Sequence, residues 1–227
     1  MRFIKNILEY FYDNDLLPFT RKNYANYITL VGSWISRISL YLFFIFFVWF
    51  FAYDSVVLEL RYAAIALSIV ASIFDALDGY YARKNNCVTK LGQIFDPHHD
   101  KVQYICKTIS LLMDAFVFYQ VSGEIIYPVF GVILCYVSSE RDETVGFHRQ
   151  WATLVSNAIE LSARPSGKWR TRVCFSGIPL LHVLIAPMSA PLLFMIVSLL
   201  LTAVTIWSLY DYVGGYRKEI KKFLRRQ

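Results

Sequence analysis

The stretch that decides the fold of this chain runs from Asp75 to Asp100 and reads D-A-L-D-G-Y-Y-A-R, eight further residues, then G-Q-I-F-D-P-H-H-D. Asp75 and Asp78 are three residues apart, so they share one face of a helix. Asp96 and Asp100 are four apart and share a face in the same way. Two such helices side by side would bring four carboxylates around one small volume. Among apolar residues, these charges need neutralising cations, and oxygen ligands favour hard divalent ions such as Mg²⁺ or Mn²⁺.

The composition is that of a polytopic membrane protein. The 227 residues are 56% hydrophobic and 17% aromatic, and the mean hydropathy is +0.42. These values are high for a soluble protein, and the length suits one membrane-embedded domain over residues 1–227. The net charge of +6 is modest, and the Lys and Arg residues flank apolar stretches. Membrane lipids are therefore the predicted partners, and nucleic acid is not.

The chain carries no cysteine framework and no predicted leader. Its four cysteines lack C-x-x-C spacing, which indicates buried apolar residues in place of a zinc site or disulfides. The first 19 residues contain three acidic side chains and no uninterrupted apolar core, so a cleavable signal peptide is not expected. Residues 2–17 place apolar side chains at helical spacing. This pattern predicts an amphipathic helix over 1–20 in the membrane interface, or alternatively one packed on protein.

Apolar stretches after this segment predict an all-α polytopic membrane protein with six transmembrane helices. The stretches lie near Ile28–Tyr53, Leu58–Tyr81, Gly92–Val121, Ile125–Ser139, Arg172–Ala186 and Pro191–Val213. The predicted architecture is an interfacial helix over 1–20, a six-helix bundle over 28–213 and a basic cytoplasmic tail over 214–227.

The loop charges predict the orientation. Lys and Arg are concentrated in the connections 81–91 and 140–171 and in the tail 214–227, whereas 122–124 and 187–190 contain none. Positive loops remain on the cytoplasmic side of a membrane. Both termini and the aspartates are therefore expected on that side.

The aspartate stretch resembles the signature of the CDP-alcohol phosphotransferases, D-x-x-D-G-x-x-A-R, eight or nine residues, then G-x-x-x-D-x-x-x-D. The specified positions are filled by Asp75, Asp78, Gly79, Ala82, Arg83, Gly92, Asp96 and Asp100. Because the match is complete, we favour a functional signature over the interpretation that these acids only cap helices or form surface salt bridges. The resemblance implies an all-helical, homodimeric membrane enzyme.

The resemblance also implies roles for individual residues. Two divalent ions held by Asp75, Asp78, Asp96 and Asp100 would clamp the phosphates of a CDP-linked substrate. Asp100 would in addition be the catalytic general base, although the sequence alone does not separate ligand from base. The residues expected to bind CDP are Asn26, Thr29, Asp78, Gly79, Ala82, Arg83 and Gly92.

Each of these nucleotide assignments has a structural alternative. Small residues also allow close helix packing, Arg83 could instead extend to the membrane surface, and Asn26 or Thr29 could cap a helix. His98 and His99 stand where the family usually has small or apolar residues. They could add a metal ligand or a pH-sensitive contact, or be tolerated near the cytoplasmic surface.

A second resemblance bears on the acceptor alcohol. The segment Arg141–Trp151 reads R-D-E-T-V-G-F-H-R-Q-W and is similar to R-E-x-x-V-x-x-x-R-x-W of phosphatidylglycerophosphate synthases. Residues 167–171, G-K-W-R-T, are similar to their G-K-x-K-T. Glycerol 3-phosphate brings a phosphate that cationic side chains can bind. The residues expected to bind it are Arg141, Arg149, Lys168 and Arg170.

Two departures and one alternative accompany this resemblance. Asp142 stands where these enzymes usually have Glu, and Arg170 where they usually have Lys. Both substitutions keep the charge and change the reach. The alternative is that the cations reflect only the basic character of a cytoplasmic connection.

The function expected from these observations is transfer of the phosphatidyl group from CDP-diacylglycerol to glycerol 3-phosphate, giving phosphatidylglycerophosphate and CMP. Inositol phosphate, serine, or phosphatidylglycerol as in cardiolipin synthesis are alternative acceptors. A cation transporter or channel is an alternative of another class, but it would place the carboxylates near the bilayer midplane. An inactive homologue is disfavoured by the complete set of aspartates.

Overall fold

The computed structural model describes the backbone of residues 24–84, 90–155, 165–186 and 188–224. It describes their side chains except at 24–26, 82–83, 90–98, 149–155 and 219–224. This part of the chain forms the helices α1 (Tyr24–Tyr53), α2 (Leu58–Lys84), α3 (Lys90–Ser122), α4 (Ile126–Val155), α5 (Pro165–Ile185) and α6 (Pro191–Leu224), and no strand. The all-helical prediction is confirmed for these residues, and the predicted interfacial helix over 1–20 lies outside them.

Four of the described helices contain segments long and apolar enough to cross a membrane. These segments are Tyr27–Tyr53, Leu58–Tyr81, His99–Ser122 and Pro191–Lys218. They correspond to the first, second, third and sixth predicted spans and identify a membrane protein. The fourth and fifth predicted spans form parts of α4 and α5, whose remaining residues are more polar.

Helix α4 extends well beyond its apolar part. It continues to Val155, and α5 begins at Pro165, so most of the connection predicted over 140–171 is helical. Residues 140–145 contain no proline or glycine to end the helix, and Glu and Arg favour helical structure. Proline fits the first turn of α5 because its ring presets φ and no N–H is needed there. Helix α6 likewise continues beyond Val213 into the predicted tail.

The chain divides into two compact units, residues 1–110 and 111–227. In the first unit, α1 packs against α2 through small residues. A Cβ atom added to Gly32 would lie 3.0 Å from the Cβ of Phe74. The hydroxyl of Ser39 donates a hydrogen bond of 2.7 Å to the carbonyl of Ala64. Small residues and hydroxyl groups allow such close approach between membrane helices.

In the second unit, α4 and α5 both pack against α6. A Cβ added to Gly177 would lie 2.7 Å from Leu201 Cδ2, so α5 and α6 are also in close contact. Nδ1 of His182 and Oδ2 of Asp114 are 2.7 Å apart, and both side chains are fully buried. This pair links α5 to the last part of α3. Separating the two helices would be costly, because it would leave a buried polar group without its partner.

We expect Gly32→Ala to destabilise the first unit, because the added methyl group would press against the Cβ of Phe74 and push α1 away from α2. Overpacking of this kind costs about 1–3 kcal/mol. Gly214→Ala in α6 is the matched control, since nothing lies within 4 Å of its added Cβ. Thermal unfolding in detergent should show a lower melting temperature for Gly32→Ala only. Equal melting temperatures for the wild type and Gly32→Ala would contradict the close-packing argument.

Candidate active site

Thr29 of α1 is in direct contact with the aspartate signature. Its hydroxyl donates a hydrogen bond of 2.5 Å to Oδ2 of Asp78, and its side chain is only 3% exposed. Asn26 and Thr29 both lie inside α1, which includes residues from Tyr24 onward, so neither caps this helix. The structure therefore brings Thr29 and Asp78 together, as the predicted nucleotide site requires.

The carboxyl groups of Asp75 and Asp100 are joined by a hydrogen bond between α2 and α3. Two carboxyl groups in hydrogen-bond contact must share a proton or a cation, because two bare carboxylates would repel each other. The donor chemistry of the pair, carboxylate oxygen on two facing helices, fits a hard divalent cation. The juxtaposition predicted from helical spacing is thus present for one member of each aspartate pair.

The complete group of four aspartates is not assembled by the described side chains. Asp96 lies outside them, and the remainder contains no cluster of three or more His, Cys, Asp or Glu residues arranged to hold a metal. Gly79 is half-buried on α2, one residue after Asp78. Four further predicted nucleotide-site positions also lack a described side chain: Asn26, Ala82, Arg83 and Gly92.

Lys107 of α3 also belongs to this region, although it lies outside the signature and outside the predicted site residues. Its ammonium group donates a hydrogen bond of 2.6 Å to the hydroxyl of Ser72 and interacts electrostatically with Asp75 and Asp100. The side chain is 1% exposed. Lys107 follows Asp100 by two helical turns, and a lysine within an apolar span is itself a signal of function.

Gln103 lies on the same stripe of α3 and is fully buried. Its amide group has no hydrogen-bond partner within the part of the chain that the structure describes. A Cβ on Gly32 would lie 3.6 Å from the Gln103 nitrogen. His99, four residues earlier, is 7% exposed and faces the interior, whereas the side chain of His98 lies outside the described residues.

A separate cluster in the second unit contains two of the predicted acceptor residues. Arg141 of α4 donates a hydrogen bond of 2.7 Å to Oδ1 of Asp142, and Arg170 of α5 donates to both oxygens of that carboxylate, at 2.9 and 3.3 Å. Arg141 also donates to Ser208 at 2.9 Å and lies over the ring of Tyr212, 5.0 Å from its centroid. One carboxylate therefore serves two buried guanidinium groups.

The two departures from the synthase segments meet in a single ion pair. Asp142 is one methylene shorter than Glu, and Arg170 is longer than Lys. The planar guanidinium makes the forked contact with both carboxylate oxygens, which a lysine ammonium cannot do. The substitutions thus compensate each other in reach.

The other predicted acceptor residues differ in their settings. Lys168 is exposed on α5, and the side chain of Arg149 lies outside the described residues. Between Lys168 and the start of α5, Ser166 donates a hydrogen bond of 2.5 Å to Asp211. A Cβ on Gly167 would lie 2.5 Å from the hydroxyl oxygen of Tyr212, so the glycine allows α5 to approach α6. The structure brings Arg141 and Arg170 together and leaves Lys168 facing outward.

Comparison with known proteins agrees with this geometry. Residues 22–207 match the family model described as CDP-alcohol phosphatidyltransferase. The match covers most of the chain and includes the complete aspartate signature. The chain belongs to the CDP-alcohol phosphatidyltransferase family.

The chain is similar to several proteins named CDP-diacylglycerol–glycerol-3-phosphate 3-phosphatidyltransferase. It is 38% identical over 91 residues to the one from Rickettsia typhi, a segment covering 40% of this chain and 46% of that relative. The Haemophilus influenzae relative is 25% identical over 147 residues, covering 63% and 71%. An Arabidopsis thaliana relative, numbered 2, is 31% identical over 117 residues, covering 49% and 47%. The chain thus spans about half the length of the Rickettsia and Arabidopsis relatives.

We expect Arg170→Lys to be destabilising alone and to be rescued by Asp142→Glu. The single change loses the forked contact, and a hydrogen bond between charged groups contributes about 1.5–3 kcal/mol. The double variant should recover because the longer carboxylate restores the lost reach. Arg172→Lys, at an exposed position on the same helix, is the control. Denaturation of the wild type, Arg170→Lys, Asp142→Glu and the double variant gives a double-mutant cycle. Additive changes in the free energy of unfolding would show that the two departures are independent.

Proposed function

We propose that this protein transfers the phosphatidyl group of CDP-diacylglycerol to glycerol 3-phosphate and releases CMP. The observation that carries the proposal is the contact between Asp75 and Asp100 inside a complete family signature. The names of the similar proteins support glycerol 3-phosphate as the acceptor. The product would be phosphatidylglycerophosphate.

The carboxylates would hold the cofactor. Asp75, Asp78, Asp96 and Asp100 are the residues that would bind two divalent ions, Mg²⁺ or Mn²⁺. When bound, these ions would neutralise the phosphates of the donor. The hydrogen bond from Thr29 to Asp78 would keep this carboxylate oriented in the proposed site. Asp100 would accept the proton of the attacking hydroxyl, although a carboxylate that also binds a metal is a weaker base.

The donor nucleotide would lie along α1, α2 and the beginning of α3. Gly79 offers a helix surface without a side chain, which lets a ligand approach the backbone. Arg83 would pair with a donor phosphate. The full set proposed to bind CDP is Asn26, Thr29, Asp78, Gly79, Ala82, Arg83 and Gly92.

The acceptor phosphate would be bound by cations of α4 and α5, namely Arg141, Arg149, Lys168 and Arg170. Both guanidinium groups beside Asp142 donate to its carboxylate, so each has an anionic partner within the protein. Within this set of four, Lys168 and Arg149 would make the outermost contacts with the phosphate, and Arg141 and Arg170 would form the inner part of the same cationic pocket. Lys168 is suited to this role because its side chain is exposed.

The proposed enzyme is a homodimer with six spans in one domain, an interfacial helix over 1–20 and both termini in the cytoplasm. The support for this orientation is that connections rich in Lys and Arg alternate with connections that contain few or none. The active site would face the cytoplasm, where a soluble acceptor is available. Family membership disfavours the alternative of a cation transporter or channel.

We expect purified protein with CDP-diacylglycerol and Mg²⁺ or Mn²⁺ to release CMP when glycerol 3-phosphate is added. Asp78→Asn and Asp96→Asn should each lower turnover by orders of magnitude. Each change removes a carboxylate ligand from the metal ions that would neutralise the donor phosphates. Asp54→Asn is the control, since this exposed residue has a φ of 50°, which asparagine tolerates. CMP release with serine, inositol phosphate or phosphatidylglycerol but not with glycerol 3-phosphate would overturn the acceptor assignment. The family assignment would be unaffected.

We expect Arg149→Ala and Lys168→Ala to raise the KM for glycerol 3-phosphate by about tenfold or more, as loss of a charged contact to the substrate phosphate predicts. The KM for CDP-diacylglycerol should change little. Lys218→Ala, at an exposed position of α6, is the control for general loss of positive charge. A selective effect on the donor would show that these cations bind the other substrate.

A further inference from the structure

Lys107 is a buried cation in the membrane-spanning part of α3. Burial of an ammonium group among apolar residues is costly unless an anion compensates its charge. The hydroxyl of Ser72 satisfies one donor of Lys107 at 2.6 Å, but a hydroxyl carries no charge. The compensating charges come from Asp75 and Asp100, with which the ammonium interacts electrostatically.

The position of Lys107 follows from helical spacing on both elements. Ser72 precedes Asp75 by three residues, so the hydrogen bond to Ser72 places the ammonium on the signature face of α2. Lys107 follows Asp100 by two turns on the corresponding face of α3. The ammonium is therefore held beside the carboxylates by residues of both helices, and its side chain is closed off from solvent.

We propose that Lys107 is a tethered counter-cation of the carboxylate site and lowers the affinity of that site for divalent metal. This inference rests on the proposed function, which assigns the metal to Asp75, Asp78, Asp96 and Asp100. Lys107 neutralises part of the negative charge that attracts the metal, and a bound divalent ion is repelled by the fixed ammonium. Lys107 is therefore a positioning residue, because it offsets the charge of the carboxylates and does not contact the substrate.

The charge of Lys107 and its hydrogen bond can be separated by substitution. Lys107→Gln removes the charge and keeps a donor for Ser72, Lys107→Met removes both, and Lys107→Arg keeps the charge. The matched control is Lys84→Gln on α2, because this exposed lysine lies six residues after Asp78. The charge of an exposed group is screened by water and salt, so its removal should have little effect.

The test is Mn²⁺ binding to each purified variant in detergent, measured from the electron paramagnetic resonance signal of the free ion. We expect Lys107→Gln and Lys107→Met to lower the Kd for Mn²⁺ by about tenfold or more, since a charge near the ions is removed at low screening. Lys107→Arg and Lys84→Gln should remain near the wild-type value. Size-exclusion chromatography checks that each variant is monodisperse.

Unchanged or weaker Mn²⁺ binding in the two neutral variants would overturn the proposal. If neither neutral variant folds even with Mn²⁺ present throughout purification, Lys107 is a structural residue and the proposal also fails. If the wild type binds no Mn²⁺, the metal assignment of the proposed function fails first. If the wild type releases no CMP with glycerol 3-phosphate but the two neutral variants still bind Mn²⁺ more tightly, the proposed function fails and the inference about Lys107 stands.

Discussion

The constraint on which the first unit depends is the cost of placing carboxylates between apolar helices. Asp75 and Asp100 are brought together across α2 and α3, where they can both remain ionised only with a cation between them and otherwise share a proton. Lys107 interacts electrostatically with both carboxyl groups, and Thr29 donates a hydrogen bond to one oxygen of Asp78. The negative charge that is costly between apolar helices is also the property that the proposed divalent metal site needs.

The second unit meets a related demand with fixed partners. Asp142 accepts hydrogen bonds from Arg141 and Arg170, and the buried carboxylate of Asp114 lies 2.7 Å from His182. These contacts connect helices, so they stabilise the packing as well as the charges. The cluster around Asp142 is therefore largely satisfied within the protein. This distinguishes it from the carboxylates of the first unit, whose shared negative charge is suited to a cation.

Close helix approach is the second condition for both arrangements. Gly32 lets α1 approach α2, and Gly167 and Gly177 let α5 approach α6. Lipid provides little hydrophobic driving force between helices, so packing and polar contacts decide their association. The short hydrogen bonds that orient Thr29 and Ser166 need this proximity.

The sequence by itself determined the all-helical fold of the described residues, the positions of the four long apolar spans, the signature aspartates and the family. These properties are readable because hydrophobic runs and i, i+3 or i, i+4 spacings are local and reflect helix geometry. The continuation of α4 through residue 155 was less readable, since its charged residues resemble a connection and also favour helix.

Only the tertiary structure decided which polar groups meet. It paired Thr29 with Asp78, 49 residues away, placed Lys107 beside Asp75, and joined the two departures at positions 142 and 170 in one ion pair. Such contacts depend on the rotation and separation of whole helices, which no local pattern specifies. They nevertheless decide the charge and orientation of each functional group, because a buried ionisable side chain takes its properties from its neighbours.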